Sequence, residues 1–238
     1  MNEKKVNLTD PRQHDYFYDE ACKTLRTNIR FTGIDTKIIV ITSCFPNEGK
    51  SDVLFQLALE IGNMGNTVLI VDADIRNSRY ITRYQVEQRV RGLSEYLSGQ
   101  VGGNEIIYKT NFTGVDIIFA GPVAPNPSEL LEQRAFSLLL ETMREKYDYI
   151  LVDTPPIGSL IDAAVAAKYC DGAILVIENE RVSRSMAVNA KEQLEMSGCR
   201  LIGAVLNKVD VRNDRYYYKY SNYYKKRDRE KDHGAEKT

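Results

Sequence analysis

Cysteine is scarce in this chain of 238 residues: there are four, Cys22, Cys44, Cys170 and Cys199, far apart and without a C-x-x-C pair. That spacing excludes a disulfide framework or a thiolate metal centre and points to a reducing compartment. An excess of one charge sign is also missing. With 32 Lys and Arg against 33 Asp and Glu, the formal net charge is -1, so no overall basic field attracts nucleic acid. No run approaches the roughly 18 apolar residues of a membrane span, and the opening stretch MNEKKVNLTD lacks the apolar core of a signal peptide. The expectation is a cytoplasmic chain that reaches a membrane only through a partner. What is present is ordinary for a soluble globular protein, with 43% hydrophobic and 27% charged residues. The length suffices for one large α/β domain and its core.

The most informative stretch is Ser43-Cys44-Phe45-Pro46-Asn47-Glu48-Gly49-Lys50-Ser51. It follows a β-branched apolar run, Ile38-Ile39-Val40-Ile41, and precedes Val53, Leu54, Leu57, Ala58 and Ile61, spaced as on the buried face of a helix. Strand, tight loop and helix with Gly-Lys-Ser at the junction is the context of a phosphate-binding loop. Backbone N–H groups and the helix N-terminus would face an anion, Lys50 would add a point charge, and the Ser51 hydroxyl is a candidate Mg²⁺ ligand. Cys44 replaces the first glycine of the usual pattern, and Asn47 sits where tolerance of positive φ is useful. Nucleotide contacts are expected from Pro46, Asn47, Glu48, Gly49, Lys50, Ser51 and Asp52.

Two further apolar runs end in acids. Thr67–Val71 leads into Asp72-Ala73-Asp74-Ile75-Arg76, and Tyr149–Val152 leads into Asp153-Thr154-Pro155-Pro156. Ligand groups of open parallel sheets gather at the carboxyl ends of strands, so Asp72, Asp74 and Asp153 are expected where a nucleotide's Mg²⁺ would sit. More strands are expected over 115–119, 173–177 and 201–206. Helices are expected over 16–31, capped near Asp15, over 91–99, 157–169 and 183–196, and from a Ser128 cap to about Lys146. This alternation predicts an α/β P-loop NTPase fold, a mostly parallel central sheet with helices on both faces. Residues 1–15 read as a polar extended arm and 16–210 as the domain. Along the first helix Glu20, Lys23 and Arg26 form a charged stripe whose plain reading is a solvated face.

From Val211 onward the composition changes. Tyr216, Tyr217, Tyr218, Tyr220, Tyr223 and Tyr224 place six of the 15 tyrosines within nine residues, followed by the charged run 225–232. They follow no core-facing period, so 211–238 is expected to be a disordered tail. Aromatic and basic residues together can bind single-stranded nucleic acid, but no other basic patch supports that. Tyrosines beside a nucleotide site suggest a substrate instead.

Over about residues 15–224 these features resemble the bacterial tyrosine kinase (BY-kinase) family. The likeness rests on the loop Ser43–Ser51, the Asp72-Ala73-Asp74-Ile75-Arg76 and Asp153-Thr154-Pro155-Pro156 motifs, the Pro125-Asn126-Pro127-Ser128-Glu129-Leu130-Leu131 segment and the tyrosine cluster. It implies a protein-tyrosine kinase using ATP and Mg²⁺. In such an enzyme Lys50 holds the β/γ-phosphates, Ser51, Asp74 and Asp153 serve the metal, and Asp72 is the candidate base for the attacking phenol. Arg76 is expected at the nucleotide. The resemblance also implies a homo-oligomeric ring that phosphorylates the tail tyrosines in trans. It implies a membrane-bound activator whose cytoplasmic tail recruits the chain to the inner face of the membrane, protein tyrosine substrates, and an opposing protein-tyrosine phosphatase. The usual setting is capsular or exopolysaccharide synthesis and export. Glu20, Lys23 and Arg26 resemble the family's E-x-x-R-x-x-R ring contact, departing at Lys23, which keeps the charge but loses the bidentate fork of arginine. Cys44 departs from the usual small hydroxyl or glycine, and its oxidation is expected to block nucleotide binding.

Three rivals remain. Partitioning or septum-site ATPases carry a second lysine early in the loop, where this chain has Phe45, and have no use for tail tyrosines. Asn207-Lys208-Val209-Asp210 spells the N-K-x-D of a GTPase, whereas the kinase resemblance favours adenine with Asn207 near the base. A third reading is a module that binds nucleotide only to assemble.

Overall fold

The computed structural model describes residues 4–12 and 15–210, so the expected tyrosine tail lies outside the described residues. The elements are β1 (Lys5–Val6), α1 (Tyr16–Arg30), β2 (Ile38–Ser43), α2 (Lys50–Gly62), β3 (Val68–Asp72), α3 (Tyr80–Arg83), α4 (Leu93–Leu97), β4 (Ile107–Thr110), β5 (Val115–Ile118), α5 (Pro127–Glu132), α6 (Arg134–Arg144), β6 (Tyr149–Asp153), α7 (Asp162–Ala167), β7 (Gly172–Glu178), α8 (Arg184–Met196) and β8 (Leu201–Asn207). The strands form one sheet in the order β1-β4-β5-β3-β6-β2-β7-β8. Every neighbouring pair is parallel except β4 with β5. One compact unit ends at Asn207 and a second begins at Lys208.

Successive side chains of a strand point to opposite faces, and here both faces are covered. Along β2, Ile38 and Val40 enter one hydrophobic core while Ile39 and Ile41 enter the other; along β3, Leu69 and Val71 part from Val68 and Ile70 in the same way. The helix spacing read in the sequence puts Val53, Leu54, Leu57, Ala58 and Ile61 of α2 on the second core; Phe136, Leu139, Leu140 and Met143 of α6 pack on the first. Each fully buried Leu or Ile contributes about 1.5–3 kcal/mol, which makes the central strands a rigid base for what projects from their carboxyl ends.

Those ends are joined by hydrogen bonds. The Thr42 hydroxyl donates to the Pro155 carbonyl at 2.9 Å, the Thr154 hydroxyl to the Ile41 carbonyl at 3.2 Å, and the Ile157 N–H to the Ser43 carbonyl at 2.9 Å. The phosphate loop after β2 and Asp153 at the end of β6 are thereby set side by side. On the far side of β6, Asp72 of β3 stands opposite Asp153 in register.

Several elements differ from the sequence expectation. The segment before Tyr16, read as an arm, adds β1 to the sheet edge and buries Val6 and Leu8. The helix expected from Ser128 to Lys146 is two, α5 and α6, broken at Gln133 with φ -65° and ψ 147°. Its first turn begins at Pro127, so Ser128 is not the cap. The helix expected over 157–169 is confined to α7, and neither α3 nor β4 was expected. By contrast α1 and α8 agree closely, with Asp15 and Ser183 accepting from the first N–H groups. Among the described residues no helix is long and apolar enough to cross a membrane.

Candidate active site

The loop between β2 and α2 owes its shape to residues that do not face outward. Asn47 and Gly49 have φ of 68° and 88°, the left-handed conformation that Asn and Gly tolerate best. The Glu48 side chain is wholly buried. Its carboxylate accepts the Phe45 N–H at 2.8 Å and the Glu178 N–H at 3.3 Å, tying the loop to the end of β7. The Asn207 amide donates to the Glu48 carbonyl at 2.8 Å. Glu48 and Asn207, both expected at the nucleotide, thus have side chains spent on the loop's scaffold. Arg181, which no sequence signal marked, pairs with Glu178 at 2.8 Å and reaches the Pro46 carbonyl at 3.2 Å.

Cys44 is buried, its carbonyl covered closely by Gly158, where an added Cβ would come within 2.5 Å of the oxygen. Burial, then the charge of Glu48, pushes its thiol up to about 11. Oxidation proceeds through the thiolate and needs access, so burial in the first core argues against the expected redox sensitivity of Cys44.

Lys50 opens α2 and turns its ammonium toward the acids. Its Nζ lies 3.5 Å from Asp153, 3.6 Å from Asp74 and 3.2 Å from the Ser51 hydroxyl. Asp72 accepts from the Ser78 hydroxyl, and from the Asp74 N–H at 3.3 Å; all three acids are buried. Burial works against the charge of Lys50, but the carboxylates of Asp153, Asp74 and Asp72 outweigh it and hold the ammonium above its ordinary value. One ammonium does not satisfy three acids. Burial, reinforced by the charge of Asp153, raises Asp72 to about 8; burial also raises Asp153, despite Lys50 and Ser51 beside it.

This excess of negative charge is what a divalent cation would offset. Asp153 Oδ1 makes no hydrogen bond among the described residues; its compensation is the Lys50 ammonium at 3.5 Å, which leaves lone pairs free for a cation. The donors at hand, carboxylate and hydroxyl oxygens, suit Mg²⁺. No group of three or more metal-ligating His, Cys, Asp or Glu side chains occurs among the described residues. Mg²⁺ takes one or two carboxylates and completes its shell with phosphate and water. The chemistry of these donors fits the ion, which Ser51, Asp74 and Asp153 would hold.

Other expected site residues are engaged elsewhere. Asp52 pairs with Arg83 of α3. Arg76 makes a bidentate pair with Asp162 (Nε to Oδ2 2.6 Å, Nη2 to Oδ1 3.1 Å) and also meets the Ser128 hydroxyl at 3.0 Å, while that hydroxyl donates to Asp162 at 2.7 Å. Arg76 thus buttresses the acid loop against α5 and α7. This gives the Pro125–Leu131 segment its role: it carries Ser128 to that junction. In the charged stripe, Lys23 pairs with Glu20 at 2.7 Å on the helix surface, whereas Arg26 turns onto α2 and pairs with Glu60 at 3.2 Å. Ser78, Arg83 and Asp162 carried no sequence signal because each is a single polar residue outside any motif.

A family model described as an AAA domain matches residues 36–193. Tyrosine-protein kinase CpsD of Streptococcus agalactiae is 40% identical over 213 residues, spanning 90% of this chain and 92% of the relative. The kinase domain of Escherichia coli tyrosine kinase ETK superposes with a TM-score of 0.77 at 35% identity, covering 80% of this chain and 75% of that one. The septum site-determining protein MinD of Pyrococcus horikoshii, complexed with Mg-ADP, follows at a TM-score of 0.64 and 28% identity, over 73% of this chain and 71% of that one. The likeness to the kinases is the stronger in sequence and in superposition, and with CpsD it spans at least nine-tenths of both chains. The chain belongs to the bacterial tyrosine kinase (BY-kinase) family of protein-tyrosine kinases.

Proposed function

We propose that the chain uses ATP and Mg²⁺ to phosphorylate Tyr216, Tyr217, Tyr218, Tyr220, Tyr223 and Tyr224 of a neighbouring copy within a homo-oligomeric ring, and so regulates capsular or exopolysaccharide synthesis and export. The observation that carries this reading is Lys50 held between Asp74 and Asp153, with Asp72 behind them, beside a phosphate loop in a chain with six tyrosines between 216 and 224.

In this reading the N–H groups of Pro46's successors through Ser51 cradle the phosphates, and Lys50 draws the β/γ oxygens into line. Mg²⁺, held by Ser51, Asp74 and Asp153, would neutralise charge on the β- and γ-phosphates. Asp72 accepts the proton of the attacking phenol. Burial and the charge of Asp153 make the Asp72 carboxylate a stronger base than an ordinary one, and the positive charge of a bound Mg²⁺ beside it would favour the ionised form that accepts the proton. Positioning contributes more than the base in a loose phosphoryl-transfer transition state, so the walls formed by the Arg76–Asp162–Ser128 junction matter to rate as well as stability. A membrane-bound activator with a cytoplasmic tail recruits the chain to the inner face of the membrane, other proteins supply further tyrosine substrates, and a protein-tyrosine phosphatase resets the tail.

Trans transfer is tested by mixing two variants, with activator present. One keeps Lys50 but has the six tail tyrosines changed to phenylalanine; the other is Lys50→Met with its tail intact. Labelled phosphate should appear on the Lys50→Met chain. Label in wild type alone but none in the mixture would refute trans transfer, and an unlabelled wild type would favour the assembly module. Competition between ATP and GTP for binding separates the adenine reading from the N-K-x-D one.

A further inference from the structure

A second buried polar group beside the site has no partner. Tyr80, the first residue of α3, is 2% exposed, and its hydroxyl has no hydrogen-bond partner among the described residues. Its ring is fixed by stacking: the centroid lies 5.3 Å from that of Tyr84, which in turn lies 4.1 Å from Phe55 of α2. The short helix that carries it is attached to the site at both ends. Before it, the Ser78 hydroxyl donates to Asp72; at its end, Arg83 pairs with Asp52, the neighbour of Ser51 in sequence. Tyr80 lies between these two attachments. After burial, the charges acting on its phenol are led by Asp153 and include Asp72 and Asp52, and together they raise it well above its ordinary value.

A buried phenol left without a partner costs about 1–3 kcal/mol, and nothing in the packing needs the oxygen, since phenylalanine would fill the same space. Asp153 Oδ1 likewise makes no hydrogen bond among the described residues, its nearest cation being Lys50 Nζ at 3.5 Å. Ser78, two residues before Tyr80, is bonded to Asp72, which stands opposite Asp153 in register; a phenol without an acceptor and a carboxylate oxygen without a hydrogen bond, joined through that short path, are satisfied together when a water of the metal's shell lies between them. We propose that Tyr80 is a positioning residue for the metal–nucleotide complex: its hydroxyl donates, through water, to the carboxylate end of the site and orders the hydration of Mg²⁺. It touches neither ATP nor the acceptor tyrosine. Its role differs from that of Lys50, which serves the phosphates whether or not metal is present.

The inference rests on the reading that Lys50, Ser51 and Asp153 hold a metal-bound nucleotide, and the test separates the two. ADP affinity is measured by calorimetry for wild type, Tyr80→Phe and Lys50→Met, each with Mg²⁺ and with EDTA, and each melting temperature is recorded without nucleotide. Tyr80→Phe should melt at or above the wild-type temperature, because it removes an unsatisfied buried group. It should lose about tenfold in ADP affinity with Mg²⁺, the worth of one hydrogen bond to a charged group, and nothing with EDTA. Equal loss in both conditions would make Tyr80 a packing residue, and unchanged affinity in both would make its hydroxyl idle; either result overturns the inference. If Lys50→Met binds as wild type does, the site reading itself fails.

Discussion

The bidentate pair between Arg76 and Asp162 shows how one residue can serve a site without facing its ligand. Asp162 is 1% exposed and Arg76 37%. Burial alone would raise the carboxyl, but the bonds from Arg76 and Ser128 outweigh it and hold Asp162 below its ordinary value. A depressed carboxylate adds stability that is present above its unfolded value near 4 and is lost as pH falls through the folded one. Arg76→Ala leaves a buried anion, whereas Asp162→Asn leaves a cation that can turn to water. Arg76→Ala should therefore cost more at neutral pH, about 2–3 kcal/mol, and the gap between the two variants should narrow below about pH 4. Urea titrations at pH 7 and pH 3.5 check this; a gap independent of pH would show that the pair's charge is not what matters. Cys44 gives a second residue-scale expectation. With its thiol buried and raised to about 11, peroxide treatment should leave ATP affinity unchanged in calorimetry, and a marked loss would return Cys44 to the list of redox sensors.

At the scale of elements, the phosphate loop depends on a backbone that only certain residues adopt. Gly49 has φ of 88°, and an added Cβ would meet the Asn207 amide nitrogen at 2.2 Å. Gly49→Ala therefore combines a left-handed strain of about 1–2 kcal/mol with displacement of the Asn207 bond to the Glu48 carbonyl. Nucleotide affinity should fall by about tenfold or more while the fold survives, as calorimetry and circular dichroism would show; wild-type affinity would contradict this account of the loop. The strand–loop–helix unit was legible because β2 and α2 switch hydrophobic period cleanly at Gly49-Lys50, and Asn47 announced its positive φ. Asp72 and Asp153 were legible because each ends an apolar run, and Asp74 because it follows Asp72 by two residues. Elements too short to show a period were not. β1 has two residues and α3 has four, and both are defined by partners distant in sequence. Ser128 misled because a serine before a helical pattern is a good cap, whereas here Pro127 already begins the helix and the hydroxyl is drawn to Asp162.

At the scale of the whole molecule, the charged stripe of α1 is already partly spent within the chain. Glu20 and Lys23 neutralise each other on the surface, and Arg26 is held by Glu60. The exposed Glu20–Lys23 pair contributes about 0–1 kcal/mol and yields readily to a better partner, whereas Arg26 and Glu60 are mostly covered, so the stripe has less to offer another copy than three free charges would have. Each phosphate on the tail adds roughly -1.5 to -2 charges, and several on adjacent copies repel. Light scattering before and after incubation with ATP, Mg²⁺ and activator should show a smaller particle after; a mass unaltered by phosphorylation would contradict the link between modification and assembly.

If the acids around Lys50 transfer phosphate to Tyr216–Tyr224, residue-resolved mass spectrometry after incubation with ATP and Mg²⁺ will find it there. Wild type is compared with Lys50→Met and Asp72→Ala. Several phosphotyrosines between Tyr216 and Tyr224 are expected in wild type and almost none in either variant. Wild type without phosphate at these positions, or variants modified as fully as wild type, would rule the proposed transfer out.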